Sequence, residues 1–153
     1  TGTQNHECIA GVTAAINYLA DLGNMAESHR QANLRESLKT SFAAIRDYES
    51  ELLTQLLDGL AKLRSIEVFG ITDPARNAER LPTVSIRHQK HSPEELAKYL
   101  GDCGIYTWHG NYYALPLTET IGVEPDGMVR LGLLHYNTPL EIERLLSVLA
   151  KID

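Results

Sequence analysis

Arg130 and Gly132 stand two residues apart in the stretch MVRLGLLHYNT, residues 128 to 138. As a strand, this stretch places Val129, Leu131, Leu133 and His135 on one face. Met128, Arg130, Gly132, Leu134 and Tyr136 fall on the other. The first face is apolar enough to lie on a helical layer. The second carries an arginine, which is costly in mid-strand unless a carboxylate or an anion meets it. A glycine beside it removes the side chain that would block a ligand's approach. Two readings stand open on pattern alone: a salt bridge across the sheet, or an anion site.

The other reactive residue types offer less. The six histidines occupy positions 6, 29, 88, 91, 109 and 135. Only His88 and His91 are near neighbours. They flank a turn with no cysteine or carboxylate at metal-ligand spacing, so they read as solvated turn histidines and no metal site is expected. Cys8 opens a helix and Cys103 falls between a helix end and a strand. Both read as packed residues, because a nucleophilic thiolate needs a base that neither segment supplies. Lys90, in RHQKHS, lies in a polar turn and is expected to be exposed, unlike the desolvated lysines that form Schiff bases. Gly2 and Thr3 precede a helix, where a hydroxyl and free backbone N–H groups suit a phosphate, although so short a pattern is common by chance.

The 153 residues suit one domain or a large piece of one, and 43% apolar with 22% charged residues is ordinary for a globular chain. A net charge of -6 argues against nucleic acid as a partner. No apolar run approaches a membrane span, and the start shows no signal-peptide pattern. The opening TGTQNHE reads as the middle of a longer protein. Two cysteines are too few for a disulfide framework, which makes a reducing cytoplasm the default compartment.

Periodicity sets out the elements that would position these residues. Ile9, Val12, Ile16 and Leu19 give a helical stripe from Cys8, with Leu22 and Gly23 at its exit. A second helical region runs from Met25 to Leu63, with Phe42, Ile45, Leu52, Leu53, Leu56, Leu60 and Leu63 on its apolar face. A bend near Thr40 fits its polar start, and one bent helix or two helices both remain open. Gly59 inside this run costs about 1 kcal/mol against alanine, and close packing or fraying would account for it. Strands are expected at Ile66–Ile71, Thr83–His88 and Ile105–Trp108, with a polar loop over residues 72 to 82 and a short helix or turn within residues 117 to 127. Ser92, Pro93 and Glu95 form a helix start with a capping box, and Thr138, Pro139 and Glu141 repeat it. The fold expected is α+β: a small, mainly antiparallel sheet with helices packed on one face, preceded by long helices.

The combination of VRLGLLHYNT with PLEIERLLSVL resembles the C-terminal end of class V aminotransferase-type enzymes. These are pyridoxal-phosphate-dependent proteins of fold type I, in the α/β class, and the resemblance is nearest their cysteine desulfurase and selenocysteine lyase-like branch. GTQNHECIAGVTAAINYLADLG is similar to the segment leaving the large cofactor domain of those enzymes. YESELLTQLLDGLAKL and RLPTVSIRH fit their small domain in order and spacing, so the resemblance covers essentially the whole chain. It implies that residues 1–23 link from a large domain lying upstream and that 24–153 form the C-terminal small domain. It further implies that Arg130 holds an amino-acid substrate's α-carboxylate through a bidentate fork. Thr3, with Gly2, would contact the cofactor phosphate of the other subunit in a homodimer.

Two departures from the family pattern matter. The lysine that carries the cofactor, the aspartate that meets its pyridine nitrogen and the aromatic residue over its ring belong upstream, and nothing in this sequence matches them. The chain alone is therefore expected to be inactive and not to hold the cofactor covalently. In the loop GNYYALPL, Tyr113 takes the position of the desulfurase cysteine, and Cys103 lies ten residues too early to replace it. A phenol cannot accept sulfur as a persulfide, so an aminotransferase or lyase reaction is the safer expectation. Tyr113 would line the substrate pocket or pack as a loop aromatic. The alternative to an enzyme is a non-catalytic α+β module for dimerisation or protein interaction.

Overall fold

A computed structural model of the chain describes residues 2–27 and 33–153. It divides into two compact units, Thr1–Tyr48 and Glu49–Asp153. Helix α1 spans His6–Ala26 and helix α2 spans Leu34–Leu60, so α2 belongs to both units. The Asn5 side chain caps α1 by accepting from the Cys8 amide at 2.9 Å. Helix α2 runs unbroken through Thr40, where a bend fitted the sequence. Its polar first turns include the buried Ser37 and Ser41. Residues 28–32 of the expected second helical region, His29 among them, lie outside the described residues.

Within the first unit, α1 and α2 meet at Gly23. A Cβ there would collide with the backbone of Ser37 and Ser41, and the two serines are buried. The Ser37 hydroxyl donates to Asn24 Oδ1 at 3.0 Å beside this crossing. The stripe read from α1 is not covered among the described residues: Ile9, Val12 and Ile16 are exposed. Phe42 and Leu34 of α2 are exposed as well.

The second unit begins with the rest of α2, whose Leu52, Leu53, Leu56, Leu57 and Leu60 are buried. Strand β1 (Ile66–Phe69) follows, then a 3-10 turn (Pro74–Glu79) within the expected polar loop, and strand β2 (Thr83–His88). Helix α3 spans Pro93–Asp102, strand β3 Trp108–Gly110, helix α4 Leu115–Thr120, strand β4 Met128–Gly132 and helix α5 Pro139–Leu149. The sheet has the order β1-β2-β4-β3 and every pairing is antiparallel. The α+β architecture expected from the sequence is thus the one observed.

Period-two alternation decides the faces. Val84, Ile86 and His88 of β2 are buried with Val129 and Leu131 of β4. Helix α3 packs against β2, β3 and β4. Helix α5 lies beside α3, tied by the Tyr99 hydroxyl donating to the Val148 carbonyl at 3.4 Å and by Arg144 Nη2 donating to the Cys103 carbonyl at 2.6 Å. At Gly59 a Cβ would strike the Leu146 side chain, so close packing of α2 against α5 accounts for that glycine.

Two boundaries differ from the sequence expectation. The third strand starts at Trp108, because the residues before it close α3: Gly104 adopts φ +72°, and the Ile105 amide donates to the Leu100 carbonyl at 2.8 Å. Strand β4 stops at Gly132, because the Leu134 amide turns to Asn137 Oδ1 at 2.8 Å and Thr138 then caps α5.

Gly23→Ala is expected to destabilise the chain by about 2 to 3 kcal/mol despite its better helix propensity, because the obstructing atoms are backbone. Gly59→Ala should cost less, since Leu146 can rotate. Denaturant titration of both variants checks the order, and equal effects would contradict it.

Both capping boxes form as the sequence implies. The Ser92 amide donates to Glu95 Oε2 at 2.8 Å and the Thr138 amide to Glu141 Oε2 at 2.7 Å. These backbone bonds, then the capping hydroxyls, hold both carboxyls below the usual glutamate range. A depressed folded pKa stabilises above the unfolded value of about 4.3 and is lost as pH falls through the folded one. The urea midpoint should therefore fall below about pH 4, and fall less steeply in Glu95→Gln/Glu141→Gln, which keeps the acceptors without the titration. Parallel pH profiles would refute this.

Candidate active site: the open face of the sheet

The register of the ladders collects a set of residues on the face away from α3. Phe69 pairs with Ser85, Ser85 with Arg130, and Arg130 with Trp108, so one row crosses all four strands. A second row pairs Glu67 with Arg87. Directly opposed residues share a face, and alternation sends Arg130 away from the buried Val129 and Leu131.

Two arginines therefore stand on neighbouring strands of one face, in different surroundings. Arg87 Nη2 lies 3.6 Å from Asp126 Oδ2 and sits opposite Glu67. Arg130 is exposed and forms no ion pair among the described residues. The cross-sheet salt bridge that its position allowed is absent there. What Arg130 has instead is an aromatic face: its guanidinium carbon lies 5.2 Å from the centroid of the Tyr112 ring. That is within the range of a cation–π contact and leaves the N–H edges of the guanidinium unpaired. Gly132 is exposed, and a Cβ there would meet nothing, so space remains beside the arginine.

Tyr112 reaches this position through an unusual loop. After Gly110 (φ +106°) the chain places Tyr112 at φ +57° and Tyr113 at φ +61°. Two successive tyrosines in the left-handed region cost about 1 to 2 kcal/mol each. Asn111 supports them: its Oδ1 accepts from the Tyr113 amide at 3.1 Å, and its carbonyl accepts from the Ala114 amide at 2.8 Å. The turn sends Tyr112 inward and Tyr113 outward, and Tyr113 is 96% exposed. The Tyr112 hydroxyl is buried with no hydrogen-bond partner among the described residues, although Ser85 is near enough to favour its charged form. Burial pushes this phenol up to about 12, against smaller opposing effects of Ser85 and of the Arg130 charge.

The other candidate residues fall elsewhere. Gly2 and Thr3 lie in the first unit, exposed in the non-helical segment before α1, and belong to a different unit from Arg130 and Tyr113. The five lysines, Lys39, Lys62, Lys90, Lys98 and Lys151, are all exposed, Lys90 as expected. Cys8 is exposed and Cys103 partly so. His88 corrects the expectation of a solvated histidine, since it is 6% exposed. Its Nδ1 accepts from the Lys90 and His91 amides at 3.0 and 3.2 Å, which requires a lone pair there, so Nε2 carries the proton and donates to the Ile152 carbonyl at 3.0 Å. No cluster of metal-ligating side chains occurs among the described residues.

A cavity of about 210 Å³ lies between residues 104–107, residues 131–133 and α5, and does not include the Arg130 side chain. Three of its polar neighbours are already engaged, while the Thr107 hydroxyl that also lines it is buried with no hydrogen-bond partner among the described residues. Asn137 serves the Leu134 amide, Glu141 the Thr138 cap and Arg144 the Cys103 carbonyl. For an anion the open face is the better site, because it holds a guanidinium with no ion pair among the described residues.

Tyr112, the aromatic residue that the structure brings to Arg130, is one that the sequence motif does not single out. Alignment of the loop drew notice to Tyr113, and only the paired left-handed residues show which ring turns in. Among the described residues no helix is long and apolar enough to cross a membrane.

Comparison with known proteins agrees with this architecture. The chain is 30% identical over 151 residues to cysteine desulfurases of Salmonella newport and Salmonella typhimurium, covering 99% of itself and 31% of each of them. It thus spans about a third of the length of these relatives. It superimposes on a cysteine desulfurase from Escherichia coli with a TM-score of 0.72 at 21% identity, over 99% of this chain and 31% of that one. An apo cysteine desulfurase from Thermococcus onnurineus matches 78% of this chain and 28% of its own length, with a TM-score of 0.69 at 24% identity. These two likenesses show the fold. The family model for aminotransferase class-V matches residues 31–145, three quarters of the chain, and on that ground the chain belongs to the class-V aminotransferase family.

Proposed function

We propose that this chain supplies the small-domain part of the substrate site in a pyridoxal-phosphate-dependent enzyme acting on an amino acid, and that Arg130 receives the substrate's α-carboxylate. The observation that carries this reading is the contrast on the open face: Arg87 is matched by Asp126, whereas Arg130 meets no carboxylate. A guanidinium with free in-plane N–H groups beside an unfilled glycine position suits a planar carboxylate bidentately.

The residues present fit only the periphery of the cofactor site. Thr3 offers a hydroxyl and backbone N–H that suit a phosphate, and Gly2 beside it leaves the approach open. We assign them to the phosphate of a partner subunit in a homodimer. The covalent attachment does not fit this chain, because none of its five lysines is desolvated. When bound, pyridoxal phosphate supplies the electron sink for bond breaking at the substrate's Cα. The part of Arg130 is to fix which bond faces that sink, by anchoring the carboxylate before reaction. The partner of this chain is accordingly the large domain that bears the cofactor, and the chain by itself is inactive.

The relatives are cysteine desulfurases, but a persulfide route through position 113 is closed to a phenol. Amino-group transfer or a lyase reaction fits the residues better. Tyr113, with its ring fully outward, is placed to meet substrate only from the mouth of the site.

In the whole enzyme, Arg130→Ala is expected to lower kcat/KM for amino-acid substrates by about 10² to 10³-fold, the range for loss of a charge-assisted pair, with Arg130→Lys intermediate. Steady-state kinetics with unchanged circular dichroism checks it. Unchanged kcat/KM in Arg130→Ala would remove the carboxylate role.

A further inference from the structure

The geometry points to Tyr112 as a positioning residue that holds the Arg130 guanidinium in its ligand-receiving pose, an inference that rests on the carboxylate reading of Arg130. Four observations meet on this residue. Its ring centroid is 5.2 Å from the guanidinium carbon, so one flat side of the fork is covered and the N–H edges stay open. The side chain is brought there by a left-handed turn of two tyrosines, where glycine or asparagine would be unstrained. The neighbouring Tyr113 points away from the protein, so the turn selects one ring of the two. The Tyr112 hydroxyl is buried with no hydrogen-bond partner among the described residues, and it is the ring that faces the Arg130 guanidinium.

An arginine on an exposed strand has many rotamers and binds an anion only from some of them. Stacking on a fixed ring removes most of the others before the ligand arrives. The ring must also remain neutral, because a phenolate beside Arg130 would neutralise the charge the ligand needs. An ordinary phenol is already neutral in the physiological range, and burial moves this one further from ionisation. Trp108, directly opposite Arg130 on β3, is 55% exposed and reports on the same space.

The test uses the 153-residue chain and acetate, followed by NMR of the Arg130 Nε–H and Trp108 indole N–H. In the free chain the Arg130 Nε–H should be shifted upfield by the Tyr112 ring, and acetate should move both signals saturably. Tyr112→Phe should keep the ring shift and the acetate affinity. Tyr112→Leu should lose the ring shift and weaken acetate by about two- to fivefold, while Tyr113→Leu changes neither. Should Tyr112→Leu disturb the sheet amides, Tyr112→Trp serves instead: it should restore the ring shift, and failure to do so overturns the proposal. An Arg130 ring shift that survives in Tyr112→Leu also overturns it, whether or not acetate binds. If Arg130→Ala leaves the acetate response intact, or the wild-type chain shows none, the carboxylate reading fails with it. If Arg130→Ala abolishes the response while Tyr112→Leu does not alter it, only the role of Tyr112 falls.

Discussion

The pairing of β2 with β4 is the constraint on which the rest of the second unit depends. Ser85 opposite Arg130 and Ile86 opposite Val129 set one register for two central strands. A slip of one residue would turn Arg130 into the helical layer and push Val129 and Leu131 into solvent. The cost would fall on both faces at once, as a buried unpaired guanidinium and two exposed aliphatic side chains. The apolar packing under α3 and α5 and the charge on the open face are therefore specified by the same hydrogen bonds. The site needs no separate device to point its arginine outward.

Much of this was legible in the sequence because it depends on short-range rules. The two capping boxes need only four consecutive residues each, and both formed. The β2 and β4 alternations need only a period of two, and the faces of residues 84–87 and 129–132 came out as read, although Met128, read beside Arg130 on the outer face, is buried. Other features were not local. The third strand began later than its β-branched and aromatic residues implied, because the C-terminal bonds of α3 claimed Gly104 and Ile105. His88 was buried by the C-terminal segment some sixty residues away, through its bond to Ile152. The choice of Tyr112 over Tyr113 rests on two positive φ angles, which residue identity alone does not announce for tyrosine.

The candidate binding residues fall in two separate units. One arginine with its aromatic support is built into a rigid sheet, on strands held from below by packed helices. The threonine and glycine suited to a phosphate belong to a separate unit, on a segment before a helix whose apolar stripe is exposed. This class-V aminotransferase chain spans about a third of the length of its relatives. Exposed Ile9, Val12 and Ile16 on α1, with Leu34 and Phe42 on α2, are the surface such a division of labour leaves behind.

The unpaired guanidinium also bears on how a ligand arrives. The chain carries a net charge of -6, so at a distance it repels anions. At physiological ionic strength that repulsion fades beyond roughly 8 Å. An anion must therefore diffuse close before a guanidinium takes over, and of the two on the open face Arg87 already meets Asp126, so the attraction would centre on the few ångströms around Arg130. On the carboxylate role proposed for Arg130, capture would be short-range and selective by contact, in contrast to a broad basic groove that gathers every anion in its neighbourhood.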